Sequence, residues 1–175
     1  PLAVGVVVSN AKVLVNGGKI TSTVGGVKLN ADSRVSLDTE ALSGRLPFTL
    51  AVGVVVNDSC VDVRGSSDVR AAGDLHADAY GSTDVTTVSS GTNKMPQTSF
   101  GSSTDSATNT TPTGSTTSSN KLDTGKSGGF FAVSVAIQNV YAAIREAARA
   151  SADGDLTVTS SAYEHVTNKA TSNPD

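Results

Sequence analysis

The chain has 175 residues, of which 37% are hydrophobic, 17% charged and 4% aromatic, with a formal net charge of -3. The charged fraction is below the roughly 25% of an average globular domain, and the scattered Lys and Arg residues form no basic stripe that would indicate a nucleic-acid partner. No apolar run approaches the ~18 residues that span a bilayer. A single cysteine, Cys60, excludes an intrachain disulfide. The abundance of Gly, Ser, Thr, Val and Asp indicates narrow strands joined by tight turns.

An internal repeat dominates the sequence. Three segments align without a gap from Ala3, Ala51 and Ala132, so that successive copies start 48 and 81 residues apart. Each copy opens on a Val-rich strand, passes a Gly-Gly or Gly-Asp turn and ends on an alternating strand. We therefore predict an all-β fold, a parallel β-helix (β-solenoid), as one domain over 1–175 with units 3–50, 51–131 and 132–175. A sandwich of antiparallel hairpins is the alternative.

Each unit is expected to contain four short strands and to make about two coils. In the first copy these strands are 3–8, 11–16, 19–24 and 27–32. Alternation places the odd residues of 11–16 in the core, including Val13, and turns Lys12 to solvent. In the fourth strand Lys28 is likewise expected to face water.

The first strand of each unit is apolar on both faces. We expect Val4 and its alternating neighbours to face the core, which leaves a candidate contact patch of small residues on the other face. The chain could cover this patch itself, or another domain or subunit could pack on it. The patch consists of Ala3, Gly5, Val7, Ala51, Gly53, Val55, Ala132, Ser134 and Ala136. The candidate covering residues are Leu42, Leu46, Phe48, Leu50, Phe130 and Phe131.

Two segments depart from the regular pattern. Residues 91–129 are almost entirely polar and predict a long loop insertion, since they cannot bury enough surface to order themselves. Residues 141–150 have high helix propensity, yet the repeat register places them on strands. We expect strands there, with a short helix as the alternative.

Chemistry-bearing residues are sparse. The sequence predicts no catalytic, cofactor-binding or metal site, because no nucleophile, base and orienter occur together and His76 and His165 lack neighbours at metal-ligand spacing. The only candidate acidic and basic cluster is Asp62, Arg64, His76 and Asp78. It keeps a polysaccharide-binding or polysaccharide-cleaving β-helix open as the alternative to a non-enzymatic protein.

Two stretches resemble the repeat regions of giant bacterial adhesins of the filamentous-haemagglutinin and autotransporter kind. The first stretch is 51–58 with 73–79, and the second is 132–139 with 154–160. In each, a strand of the pattern AVxVxVxN is followed later in the chain by a Gly-Asp-Leu turn and a further strand. The resemblance implies secretion, an extracellular or cell-surface location, a right-handed solenoid, and a role as stalk, fibre or adhesion module. The resemblance implies contact with a host or matrix glycan or protein. Open strand edges and the apolar first strand indicate instead assembly with further copies, end to end or laterally, and the lack of a long apolar run predicts no membrane insertion. The ligand and the organism stay open.

Overall fold

A computed structural model describes residues 1–43, 48–91 and 129–172. These residues form nine strands, and none of them lies in a helix long and apolar enough to cross a membrane. The strands are β1 Leu2–Asn16, β2 Lys19–Ser22, β3 Val27–Ser43, β4 Phe48–Arg64, β5 Asp68–Ala71, β6 Leu75–Gly91, β7 Gly129–Ile144, β8 Arg149–Ala152 and β9 Leu156–Ser172.

The strands stack into three parallel sheets. The first sheet has the order β1-β4-β7, the second β2-β5-β8 and the third β3-β6-β9. Ala3 pairs with Ala51 and Ala51 with Ala132, the register that the repeat predicts. The β-solenoid prediction is therefore confirmed, and the antiparallel sandwich is wrong.

The prediction of four strands and two coils per unit is wrong. Segments 3–8 and 11–16 belong to one strand, β1, because Ser9 and Asn10 stay paired with Asn57 and Asp58 instead of turning. The strand β3 continues to Ser43, through residues expected to be a connector. Each unit therefore makes one coil of two long strands and one short strand.

The helix-prone segment forms strands, as the repeat register predicts. Ile144 ends β7 beside Val63, and Arg149 begins β8 beside Asp68. Pairing with the neighbouring coil outweighs the helix propensity of this Ala-rich stretch. The turn between them places Glu146 at a φ of 62°, the position that Gly65 occupies with a φ of 67° in the coil before.

The core has two parts. Beside the second sheet, all three sheets enclose an apolar cluster that includes Val61, Val69 and Leu75. Away from the second sheet, the first and third sheets pack directly on each other, and Val55 and Val85 meet in a smaller apolar cluster. The interior is thus triangular in cross-section at one end of the coil and two sheets thick at the other.

The two-sheet part is thin and rich in small or hydroxylated residues. A Cβ atom on Gly53 would lie 2.7 Å from Oγ1 of Thr87, closer than real Cβ atoms come to a neighbour. The hydroxyl groups of Thr49 and Ser89 lie 2.6 Å apart across the same gap, in a buried hydrogen bond. The close approach of the sheets therefore leaves no room for a side chain at Gly53, whereas Phe130, near the start of β7, is buried beside Gly91.

Of the predicted insertion, 91–129, Gly91 ends β6 and Gly129 begins β7. Residues 92–128 lie outside the described residues, as do 44–47 and 173–175.

The described coils are wide along the strands and short along the solenoid axis. At about 3.3 Å per residue a long strand extends for roughly 50 Å, whereas three stacked strands at ~4.8 Å spacing occupy only roughly 14 Å along the solenoid axis.

Substitution of Val55 tests the assignment of inner and outer faces. Val55 is fully buried, so Val55→Ala should lower the free energy of unfolding by about 2 kcal/mol through lost burial and a residual cavity. The control is Val88→Ala on the outer face of β6, expected to cost less than about 1 kcal/mol. Urea unfolding measures both changes. Equal costs for the two variants would contradict the assignment.

Substitution of Gly65 tests the turn after β4. Gly65→Ala should lower the free energy of unfolding by at least about 1–2 kcal/mol, because φ is 67° there and the new Cβ would lie 2.6 Å from Oδ1 of Asn16. Gly25→Ala is the matched control, since no atom lies within 4 Å of its new Cβ. Thermal unfolding should separate the variants by several degrees. Equal melting temperatures would show that the turn carries no left-handed requirement.

Candidate contact face

The outer face of the first sheet carries large apolar side chains in aligned rows. Its rows contain every second residue of β1 from Leu2 to Val8 and their partners on β4 and β7, together with Phe48 on β4, two residues before Leu50. We call this set the apolar face. It consists of Leu2, Val4, Val6, Val8, Phe48, Leu50, Val52, Val54, Val56, Phe131, Val133, Val135 and Ile137.

The apolar face is accessible to solvent. Val8 on β1 is 70% exposed and Ile137 on β7 is 50% exposed, while the side chains on β4 between them, such as Val54, are half-buried by their neighbours on either side. The rings of Phe48 and Phe131 lie 5.5 Å apart at one end of the rows. Monomers rarely expose contiguous apolar patches beyond about 300–600 Å² without an interaction to make, so this face is the candidate site.

The contact patch predicted from the sequence points the other way. Ala51 and Val55 are fully buried, and the remaining members lie on the same inner face of the first sheet. The physical reason is the thin interior, where only small residues fit beside Thr39 and Thr87. The orientation assigned to Val4, Val6 and Val8 was therefore wrong, since these residues face outward.

The residues expected to cover the patch do not cover the apolar face. Phe48, Leu50 and Phe131 are members of that face themselves. Phe130 is buried in the interior, and Leu42 is exposed on the outer face of the third sheet. Leu46 lies outside the described residues.

A polar band borders the apolar face on the same sheet. Its first row is Asn10, Asp58 and Asn139, and Lys12 forms an ion pair of 3.5 Å with Asp58. The next row contains Tyr141, whose pKa is raised mainly by a hydrogen bond with Cys60 and secondly by burial. The apolar surface therefore ends abruptly partway along the strands.

The band ends in a buried carboxylate. Asp62 accepts hydrogen bonds from Nε of Arg145 at 2.8 Å and from the Nη2 atom of the same guanidinium, and its side chain is only 4% exposed. Arg64 lies 3.7 Å from the same carboxylate. Glu146 also accepts a hydrogen bond of 2.8 Å from the backbone N–H of Gly65. These contacts connect the second coil to the third at the corner of the solenoid, where β4 and β7 end.

No pattern in the sequence indicates the contact between Asp62 and Arg145. Arg145 follows the end of β7 and its side chain crosses to the neighbouring coil, 83 residues away. The apolar face, in contrast, was detectable: the residues two apart beginning at Leu2, Leu50 and Phe131 are large and apolar in all three copies.

The four residues of the predicted acidic and basic cluster are divided between two outer surfaces. Asp62 and Arg64 lie on β4 of the first sheet, and His76 and Asp78 lie on β6 of the third. These sheets pack on each other through their inner faces, so the pairs point away from each other. His165 lies on β9 with its Nε2 atom 3.1 Å from the hydroxyl of Thr167. In the described part of the chain, no three His, Cys, Asp or Glu residues are grouped so that they could hold a metal ion.

The outer face of the third sheet is polar. The guanidinium of Arg34 binds Asp32 with contacts of 3.0 and 3.1 Å and lies 5.1 Å from the ring centre of Tyr80. Thr159 donates a hydrogen bond to Asp78 from the next coil. The solenoid thus has one apolar and one polar broad surface.

Comparison of the chain with protein-family models, with curated proteins and with solved structures finds no match in any of the three.

Loss of the Arg145 guanidinium should destabilise the corner. Arg145→Gln leaves the buried Asp62 with Arg64 alone, and we expect a loss of about 1–2 kcal/mol in the free energy of unfolding, less than for a fully buried pair because Arg145 is half-exposed. The control is Arg70→Gln, which removes the exposed pair with Asp68 and should cost less than about 1 kcal/mol. Urea unfolding measures both variants. A loss no larger than the control's would mean that the Asp62 contact contributes no special stability.

Proposed function

We propose that the chain is a non-enzymatic structural and adhesive β-solenoid module of a secreted or cell-surface bacterial protein. The observation that carries the proposal is the breadth of its coils. Two surfaces, each roughly 50 Å wide along the strands, are built from one aligned repeat. The resemblance of 51–58 and 132–139 to adhesin repeats supports the same class.

Among stalk, fibre and adhesion module, the geometry favours adhesion. A coil of 48 residues, the offset between β1 and β4, lengthens the solenoid by only ~4.8 Å, so the chain gains little reach per residue. The same coil adds a full row of outward side chains to each broad sheet. Each coil of such a module therefore adds a wide strip of contact surface but little length.

The non-enzymatic part of the proposal rests on the separation of the candidate residues. Asp62 is already bound by Arg145, and His76 and Asp78 lie on the opposite surface. Cleavage of a glycosidic bond needs two carboxyl groups around one substrate. Asp62 and Asp78, the two carboxylates of the cluster, lie on opposite surfaces and do not meet this need.

Adhesion can be tested with beads that carry the chain. The beads are passed over surfaces coated with a neutral polysaccharide, an acidic polysaccharide or an extracellular-matrix protein, and retention is counted against beads that carry albumin. We expect retention on at least one coating without release of reducing ends. A chain that lacks 92–126 serves as the second arm and tells whether the coils or that segment make the contact.

Two results would contradict the proposal. Retention no greater than that of albumin on every coating would remove the adhesive role. Release of reducing ends from the acidic polysaccharide that disappears in Asp78→Ala would show an enzyme instead.

A further inference from the structure

We infer that the apolar face is the interface for a second copy of this chain, packed sheet on sheet. The inference goes beyond adhesion and does not rest on it. It starts from the thirteen large apolar side chains that the first sheet turns outward in three aligned strands.

The area of the apolar face suits a dimer. Seven of its members are between 43% and 70% exposed, among them Leu2, Val8 and Ile137, and the other six are half-buried. At ~120 Å² for a fully exposed aliphatic side chain, the accessible apolar surface is roughly 600 Å². Two copies would bury roughly 1,200 Å² from these residues alone, the lower limit of stable protein interfaces, and the bordering atoms add to it.

The charges beside the face favour an apolar partner. On the outer side of β1 and β4, Lys12 is paired with Asp58, and Arg64 and Arg145 both lie against Asp62. Each of these cations already lies against a carboxylate of the chain, so they offer less to an anionic lipid headgroup or an acidic protein than unpaired cations would. A surface of the same apolar composition is the better match.

The rows of the apolar face have a shape that can pack against the apolar face of a second copy. Val4, Val52 and Val133 form one row and Val6, Val54 and Val135 the next, all short or β-branched side chains on a pleated sheet. Two such sheets pack about 10 Å apart with their strands nearly aligned. Both copies then contribute the same set of residues to the interface, as in most homodimers.

The polar band selects one orientation of the two copies. A twofold axis parallel to the solenoid axis, passing between the Val4 and Val6 rows, sets the strands of the copies antiparallel. The Leu2 row then meets the Val8 row of the other copy, and Phe48 lies at the edge of the interface opposite the Asn10 row. The polar band from Lys12 onward projects beyond that edge into water, so Lys12 and Asp62 need not be desolvated.

The decisive experiment is sedimentation equilibrium of the chain and three lysine variants. Val54→Lys places a charge at the centre of the face, and Val6→Lys places one on the exposed strand β1, where folding is least affected. Val88→Lys makes the same change on the outer side of β6, on the opposite surface. Far-UV circular dichroism checks that each variant keeps its β structure.

We expect the unchanged chain to dimerise with a dissociation constant of roughly micromolar or below. In Val54→Lys and Val6→Lys the constant should rise at least ~100-fold, because a lysine is buried without a partner in each copy. Val88→Lys should dimerise like the unchanged chain. If Val54→Lys does not fold, Val6→Lys decides.

Three outcomes would overturn the inference. The first is a monomeric chain at concentrations ~100-fold above micromolar. The second is self-association that Val54→Lys and Val6→Lys leave intact, as end-to-end stacking through the strand edges would be. The third is a monomer that binds phosphatidylcholine vesicles and loses this binding in Val6→Lys, which would assign the face to lipid. None of these results bears on bead retention, so the adhesive role is judged separately.

Discussion

The close approach of the first and third sheets is the constraint on which the rest of the structure depends. Over most of each coil the inner faces of these sheets meet with room for Gly, Ala and hydroxylated residues and few larger ones. Gly53 has no space for even a methyl group beside Thr87. The hydroxyl groups of Thr49 and Ser89 form a hydrogen bond with each other across this space.

The apolar face follows from that constraint. Strands favour β-branched residues, but the thin interior has no room for them at Gly5 and Gly53 on the inner side of the first sheet. Most of the large apolar residues of this stretch lie on the outer side, as at Val4 and Val52. Toward the second sheet the interior widens, Val61 and Val63 return to the core, and the outer side becomes polar.

The error about the first strand has a definite cause. Side chains alternate along a strand with a period of two, so Lys12 on the outer side requires that Val4, Val6 and Val8 lie there too, provided that the strand is unbroken. If the strand is divided at Ser9 and Asn10, the orientation of Lys12 no longer determines that of residues 3–8, and the opposite orientation becomes possible for them. Large apolar residues do not belong to the core by default, because the space between the sheets decides which residues can enter it.

The sequence by itself determined the β-solenoid and its register. In-register stacking of coils requires like residues at like positions, and the repeat from Ala3, Ala51 and Ala132 displays them directly. The same register predicted strands rather than a helix around Ile144. Only the tertiary structure decided the number of coils per unit, the inner face of β1 and the contact of Arg145 with Asp62. These depend on the distance between sheets and on atoms of different coils, which a linear pattern does not encode.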